Sequence, residues 1–597
     1  MGITGAANTV ETSIGPVTLS ARESSILRRL LADSASMDEG QAFYRALSGR
    51  GVAFPIEWEL HILRATVAAL PERDDLLARL AIVEETLSPS DGATDITARL
   101  AFEKAWARFF RDERHAGKED HARRRSSLLD DACTLLSSAV FEHQPLARQI
   151  SIIVALHHTL LSAPSPELLI IADLGLRRFT EMLRHPDLNE ADACSVYDAL
   201  HSLYFSGTSD VRHLGRFDAI VGPFETWLEQ RHGRHPRPDI SFPADKPLTV
   251  AYMLHVAHLD RGNAVSPLIG SLAIMHAARA DRRVLLYAVQ HMSAEFLEWM
   301  NKNNVEVRSF DQGYRYNQID QVAASLKSDA IDVVVTEQNR AIASALFVRR
   351  VAPRQVWIDT GFPFWSLKSL DWWISPVTSD AVNFQKRISR LRFRQTAETL
   401  KQNVDLDAVA RLRATFPPGA LVLGVFVRLV KLDQAYLDFL ARLLLADPRF
   451  HLVLAGPGDT RSVEAFVERA DLEGRITFVP GSVDLNLYGP AIDLMCDTFP
   501  FIGGNACREV SAHGTPVLSK LGTPWDETLK SDRSPDLLAA SESQYIALAV
   551  RIASDEAFRA SQRQMALDIA AKYSDPTQVI DDVEMAITAS VAPEPHD

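Results

Sequence analysis

Residues 420–458 read ALVLGVFVRLVKLDQAYLDFLARLLLADPRFHLVLAGPG. The flanking runs ALVLGVFVR and FHLVLAGPG are short and continuously apolar, as strands buried on both faces are. Between them, QAYLDFLARLLLAD repeats apolar residues at three- and four-residue steps, the period of a helix. A strand, a helix and a second strand in that order form the crossover unit of a parallel sheet. Downstream, ITFVPG and AIDLMCDTF read as further strands, separated by VEAFVERADL and followed by a helix opening near Gly503. Upstream, LTVAYMLHV, RRVLLYAVQ, VEVRSF, IDVVVTEQ, VWIDTG and DWWISP alternate in the same way with helices such as SPLIGSLAIMHAARA and NRAIASALFVRRVA. Two doubly wound, Rossmann-like units in tandem are expected. Ligands bind such sheets at the carboxyl ends of the strands, so the natural site is the cleft between the two.

Before residue 246 the character differs. SSILRRLLADSAS, IEWELHILRATVAALPERDDLLARLAIVEETL, SLLDDACTLLSSAVF and IADLGLRRFTEMLRHP are helical in period, with almost no strand pattern between them. RHGRHPRPDISFPADKP (231–247) reads as a linker. The expected organisation is multidomain α and α/β: an all-helical domain over 1–245, a first Rossmann-like domain over 246–395, and a second over 396–597. The basic stretch KRISRLRFRQTAETL (386–400) is read as helical.

Composition narrows the function. Apolar residues at 47% and charged residues at 23% match a globular chain and leave no case for pervasive disorder. Across 597 residues, 63 Lys and Arg against 77 Asp and Glu leave a net charge of −14, which argues against binding nucleic acid. Cys133, Cys194, Cys496 and Cys507 have no C-x-x-C spacing, so neither a disulfide framework nor a structural zinc site is expected. The start MGITGAANTVETSIGPV has no secretory leader pattern, and no apolar run reaches a membrane-spanning length. A cytoplasmic location is the simplest expectation. P-loop, zincin and nucleophile-elbow motifs do not occur.

The chemistry concentrates in AIDLMCDTFPFIGGNACREVSAHGTPVLSKLG (491–522). A strand ends near Asp497, and Gly503 and Gly504 let backbone approach a ligand. Asn505 opens a helix whose first amides carry a partial positive charge, which suits a diphosphate. Glu509, one turn along the same face, could accept hydrogen bonds from sugar hydroxyls. Lys431, at the carboxyl end of the strand GVFVR, would neutralise a diphosphate leaving group, and Arg428 is a second cation there. In LHVAHLDRGN, His258 beside Asp260 is the expected general base with its orienting carboxylate. Asp405-Leu406-Asp407 has the form of a metal-binding D-x-D, but it opens a helix, where Asp caps. No metal is expected. Trp365, Trp372 and Trp373 should pack the last strands of the first sheet.

These segments carry a resemblance. Lys431 within LVKLDQAYLDFL, the AGPG turn, RITFVPGSV and DTFPFIGGNACREVSAHGTPV follow the order and spacing of glycosyltransferase family 41, which contains O-GlcNAc transferases and bacterial adhesin N-glucosyltransferases. DTGFPFWSLKSLDWWISPVTSD (359–380) is similar to the segment closing the first catalytic domain there. The resemblance spans about 248–590. Phe499-Pro500-Phe501 and Asn505 lean toward the adhesin branch, whereas Gly504-Asn505-Ala506 stands where the O-GlcNAc branch has a histidine and two threonines. The resemblance implies a GT-B fold, a UDP-sugar donor and metal-independent transfer of a glucose- or GlcNAc-type hexose to a protein Asn or Ser/Thr. Lys431 then holds the donor diphosphate, and Gly503, Gly504, Asn505 and Glu509 form the nucleotide-sugar loop with Arg428. No cofactor beyond the donor is expected. The partners are the UDP-sugar and a protein acceptor such as an adhesin or another surface protein. The alternatives are a nucleotide-sugar epimerase of the same fold and a non-catalytic scaffold.

Overall fold

The computed structural model describes residues 9–12, 15–18, 102, 105–106, 125–161, 166–208, 216–235, 242, 246–259, 265–310, 315–358, 365–375, 388–390 and 404–588, the last apart from 470, 471, 473, 524, 574 and 575. The chain divides into two compact units, residues 1–115 with 138–140, and residues 116–137 with 141–597. In the first unit, strands β1 (Thr9–Thr12) and β2 (Gly15–Thr18) form an antiparallel hairpin, a departure from the all-helical expectation. Gly15 and Pro16 follow the turn, chemistry that a hairpin accommodates and a helix does not.

The second unit opens with helices α1 (Arg125–Ser137), α2 (Leu146–Leu160), α3 (Leu168–Met182), α4 (Glu190–Gly207) and α5 (Asp218–His232). Asn189 caps α4 by accepting the Asp192 amide at 2.9 Å, and Gly233 at φ +81° ends α5. Most of α4 is buried, so it is an internal helix.

Next comes a seven-stranded parallel sheet in the order β5-β4-β3-β6-β7-β8-β9. Its strands are β3 (Leu248–Ala257), β4 (Arg282–Met292), β5 (Glu306–Ser309), β6 (Val333–Thr336), β7 (Arg354–Ile358), β8 (Trp372–Ser375) and β9 (Ile388–Arg390). Helices α6 (Val265–Ala277), α7 (Ala294–Lys302), α8 (Ile319–Ser328) and α9 (Ala341–Val348) make the crossovers. β9 falls inside the stretch read as helical. Ile388, Ser389 and Arg390 instead extend the sheet by pairing with Trp373, Ile374 and Ser375, because the edge of β8 offers a ladder that a basic, weakly amphipathic segment can join. Trp373 and Trp365 pack edge-on against Trp357, as expected of the tryptophans.

The second sheet has the order β12-β11-β10-β13-β14-β15. Helix α10 (Leu406–Arg413) leads in, capped by Asp405, whose Oδ1 accepts the Ala408 amide at 2.9 Å. The D-x-D pair is thus a helix start, and among the described residues no three or more His, Cys, Asp or Glu side chains group as metal ligands. β10 (Leu421–Phe426), α11 (Gln434–Ala446) and β11 (Phe450–Gly456) are the strand–helix–strand of 420–458. α12 (Arg461–Val467), β12 (Ile476–Pro480), α13 (Leu485–Ala491), β13 (Leu494–Cys496), α14 (Asn505–Ala512), β14 (Val517–Lys520), α15 (Asp526–Asp532) and β15 (Leu538–Ala539) complete it. β10 and β11 are buried throughout, each Leu or Val contributing about 1.5–3 kcal/mol by leaving water.

Helices α16 (Glu542–Ser554) and α17 (Glu556–Tyr573) cover the second sheet, whereas α18 (Pro576–Thr588) returns to the first. Val583 and Ile587 enter the first core, and Glu584 pairs with Arg282 at 2.7 Å and His276 at 3.1 Å. Among the described residues no helix is long and apolar enough to cross a membrane.

Candidate functional site

In both sheets the strand order reverses once. The reversal lies between β3 and β6 in the first and between β10 and β13 in the second. Crevices at such switch points are where doubly wound sheets bind ligands. The residues following these four strands therefore form the candidate site.

At the second switch point the loop after β13 is fixed from below. Asp497 is fully buried; its Oδ1 accepts the Gly503 amide at 2.5 Å and its Oδ2 the Ser519 hydroxyl at 2.8 Å. The buried Arg533 guanidinium lies 3.3 Å from the same carboxylate, and burial opposed by Asp497 and Asp532 leaves its pKa raised. Tyr545 donates to the Asp497 carbonyl at 3.2 Å. Phe499 stacks edge-on against Tyr436 and Phe439. These contacts make the loop a pinned ledge with Gly503 and Gly504 at its tip.

Both glycines are required. A Cβ at Gly503 would lie 2.8 Å from the Cys507 sulfur and 2.9 Å from Asp497 Oδ1. Gly504 sits at φ +56° and is the cap residue of α14, with no side chain bonding the helix start. Asn505 is therefore the first helical residue and not the cap; its Oδ1 accepts from Arg508 at 3.2 Å, and Arg508 pairs with Asp532 at 2.7 Å. Glu509 follows one turn later on the same face. It makes no hydrogen bond among the described residues, and burial together with the nearby Asp484 pushes its carboxyl up to about 7.

Arg428 and Lys431 stand across the switch point from this ledge. A Cβ at Gly456 would lie 1.6 Å from the Val427 carbonyl oxygen, so the AGPG turn needs glycine where the ends of β10 and β11 meet. That close approach, with the Leu429 amide donating to the Pro457 carbonyl at 2.9 Å, sets the turn carrying both cations. Lys431 Nζ donates to the Ile502 carbonyl at 2.7 Å and lies 4.7 Å from the Phe501 ring centre. Burial, reinforced by Arg428 and opposed by Asp497, brings its pKa down to about 7. Burial also lowers Arg428, to about 10. Lys431, Gly503 and the start of α14 thus form one cluster, tied together by the bond from Lys431 to the residue before Gly503.

At the first switch point, His258 is half-buried just beyond β3, and its expected partner Asp260 lies outside the described residues. The sequence reading passed over Glu337, which directly follows β6. Burial pushes its carboxyl up to about 7, opposed by the His255 backbone amide across the switch point and by the charge of Arg340. The signal was a charged residue immediately after the apolar run VVVT, the same pattern that singled out Lys431.

Helix α4 connects the two ends. Its Ser202 hydroxyl accepts from Arg340 at 2.5 Å, and Asp198 Oδ1 accepts the Ala341 amide at 2.8 Å, capping α9. Three residues after Ser202, the Phe205 ring lies 4.3 Å from the Arg428 guanidinium carbon. A three-residue step along a helix rises about 4.5 Å. The carboxyl ends of the two sheets therefore approach each other across a single turn of α4.

No family model and no curated protein matches the sequence. Among solved structures, an O-GlcNAc transferase mutant of Thermobaculum terrenum is similar with a TM-score of 0.53 and 18% identity, covering 82% of this chain and 97% of that one. HepE of Anabaena in complex with UDP and glucose is 15% identical, with a TM-score of 0.43 over 57% of this chain and 100% of that one. At 18% identity the first of these likenesses speaks for the fold alone. With the two parallel sheets and their switch points, the fold is GT-B.

Proposed function

We propose that this chain is a glycosyltransferase moving a glucose- or GlcNAc-type hexose from a UDP-sugar to a side chain of a protein acceptor, without a metal, and that it belongs with glycosyltransferase family 41. The observation carrying this is the cluster of Arg428, Lys431 and the uncapped start of α14 at the second switch point. Two cations and a helix start suit the two phosphates of a nucleotide diphosphate. The likeness to an O-GlcNAc transferase supports the same reading.

In the reaction, an acceptor oxygen or nitrogen forms a bond to the anomeric carbon. The bond from that carbon to the β-phosphate oxygen breaks, and UDP leaves with the electron pair. Lys431 and Arg428 stabilise the charge that grows on the leaving phosphate, which is where electrostatic catalysis is most effective. Asn505 and Glu509 are positioned on the donor side to bond hydroxyl groups of the sugar or ribose. The acceptor loses its proton to a base on the protein as it attacks; His258, with Asp260 as its expected partner, is one candidate, and the helical region would present the acceptor.

The test is a screen of UDP-, GDP- and dTDP-sugars with a host-protein lysate, read as intact masses. A gain of one hexose or N-acetylhexosamine from a UDP-sugar is expected, and Lys431→Ala should abolish it with the fold intact. Acceptor-free interconversion of a UDP-sugar would make the protein an epimerase. Unchanged masses and no UDP release would refute the transferase.

A further inference from the structure

We propose that Glu337 is the general base of the transfer, the carboxylate that takes the proton of the acceptor as it attacks the sugar; this rests on the transferase reading above.

Three observations place it there. It follows β6 at the switch point of the first sheet, as Lys431 follows β10 at that of the second. One turn of α4, from Ser202 to Phe205, brings the sheet ends bearing Arg340 and Arg428 together, so Glu337 lies on the acceptor side of a site whose other wall binds phosphate. The neighbouring Gln338 is 2% exposed, and among the described residues neither end of its amide has a partner, so this strand end carries unused polar capacity there.

The charged and titratable groups around Glu337 are Arg340 at the start of α9, His255 on β3, and Asp198 and His201 on α4, His201 lying beside Asn339 and Arg340. Arg340 favours the ionised carboxylate and burial opposes it. The balance leaves a base whose affinity for a proton matches neutral pH, the optimum for proton transfer. In the step, the acceptor heteroatom bonds to the anomeric carbon, its proton passes to Glu337, and UDP departs with the electrons of the broken carbon–oxygen bond.

Water serves as acceptor in the test, so no protein acceptor is needed. UDP release from UDP-glucose and UDP-GlcNAc is followed from pH 5.5 to 9 for the full chain, Glu337→Gln, Glu337→Asp and His258→Ala, with UDP affinity measured by calorimetry. Glu337→Gln is expected to lower kcat about 10²- to 10⁴-fold, erase the acid limb of the pH profile near 7 and leave the UDP Kd within about twofold. Glu337→Asp should keep part of the rate and a limb. An acid limb surviving in Glu337→Gln, or lost only in His258→Ala, overturns the assignment. So does loss of UDP binding in Glu337→Gln, which makes the role structural, and so does UDP binding by the natural chain without turnover. Absence of UDP binding by the natural chain refutes the transferase reading beneath it.

Discussion

Donor affinity should fall as the pH rises, because Lys431 must be charged to hold a diphosphate and in the empty site it is poised to lose its proton. Burial and the adjacent Arg428 hold its pKa at about 7. A bound diphosphate supplies the missing counter-charge and returns the lysine toward the ordinary value of about 10.4. A lysine depressed in the free protein and restored in the complex takes up a proton on binding at any pH between the two values. Each pH unit in that window weakens binding by about 1.4 kcal/mol. The two values together give a loss of about tenfold from pH 6 to 8 and about fiftyfold from pH 7 to 9. UDP-glucose is the ligand to use, because its diphosphate is esterified at both ends and does not titrate in this range. Calorimetry at four pH values, in buffers of different ionisation enthalpy, reads affinity and proton uptake together. Lys431→Arg should flatten the profile, since an arginine stays charged throughout. Glu509→Gln and Glu337→Gln should each leave it in place, which separates the lysine from the two carboxyls that also titrate near 7. Affinity independent of pH in the natural chain, with no proton uptake, would refute the reasoning.

Three further perturbations follow from the packing. Asp497→Asn removes the charge facing the buried Arg533 and should cost about 3–5 kcal/mol in chemical denaturation, with donor affinity lost alongside as the Gly503 ledge loosens. Gly456→Ala forces a methyl into the Val427 carbonyl and should destabilise by at least about 1–3 kcal/mol; a variant as stable as the natural chain would place that turn elsewhere. Arg282 and His276 hold the Glu584 carboxyl down to about 2 despite burial. A depressed carboxyl stabilises above its unfolded value of about 4.3 and loses that contribution as the pH falls through about 2. After allowance for solvent screening, Glu584→Gln should cost about 1–2 kcal/mol at pH 7 and only a small fraction of that at pH 2, read as exchange protection of α18.

The alternation of apolar strands and amphipathic helices carried the two sheets, because fully buried strands and their crossovers both have distinct periods. The short elements were less legible. Ile388–Arg390 is strand only because β8 supplies its ladder, and a basic stretch read alone carries no trace of that neighbour. The apolar face of 576–588 is visible in its spacing, but nothing in the spacing says that the first sheet covers it. At the site, Arg428, Lys431 and Gly503 stood out because strand ends and glycines are where doubly wound sheets admit ligands, and the fold brings the three together. Gly504 took the cap role open to Asn505 through its backbone, since φ +56° favours a residue without Cβ. Glu337 obeyed the same strand-end rule as Lys431, yet histidines drew attention as bases, and the burial that raises a carboxyl is a property of the folded chain.

The central claim is a diphosphate site made by Lys431, Arg428 and the start of α14, and titration of UDP into the natural chain and Lys431→Ala tests it most directly. One UDP per chain should bind to the natural protein, with at least a tenfold loss in the variant at unchanged melting temperature. Equal affinity in the two proteins, or no binding to the natural chain, would contradict the account.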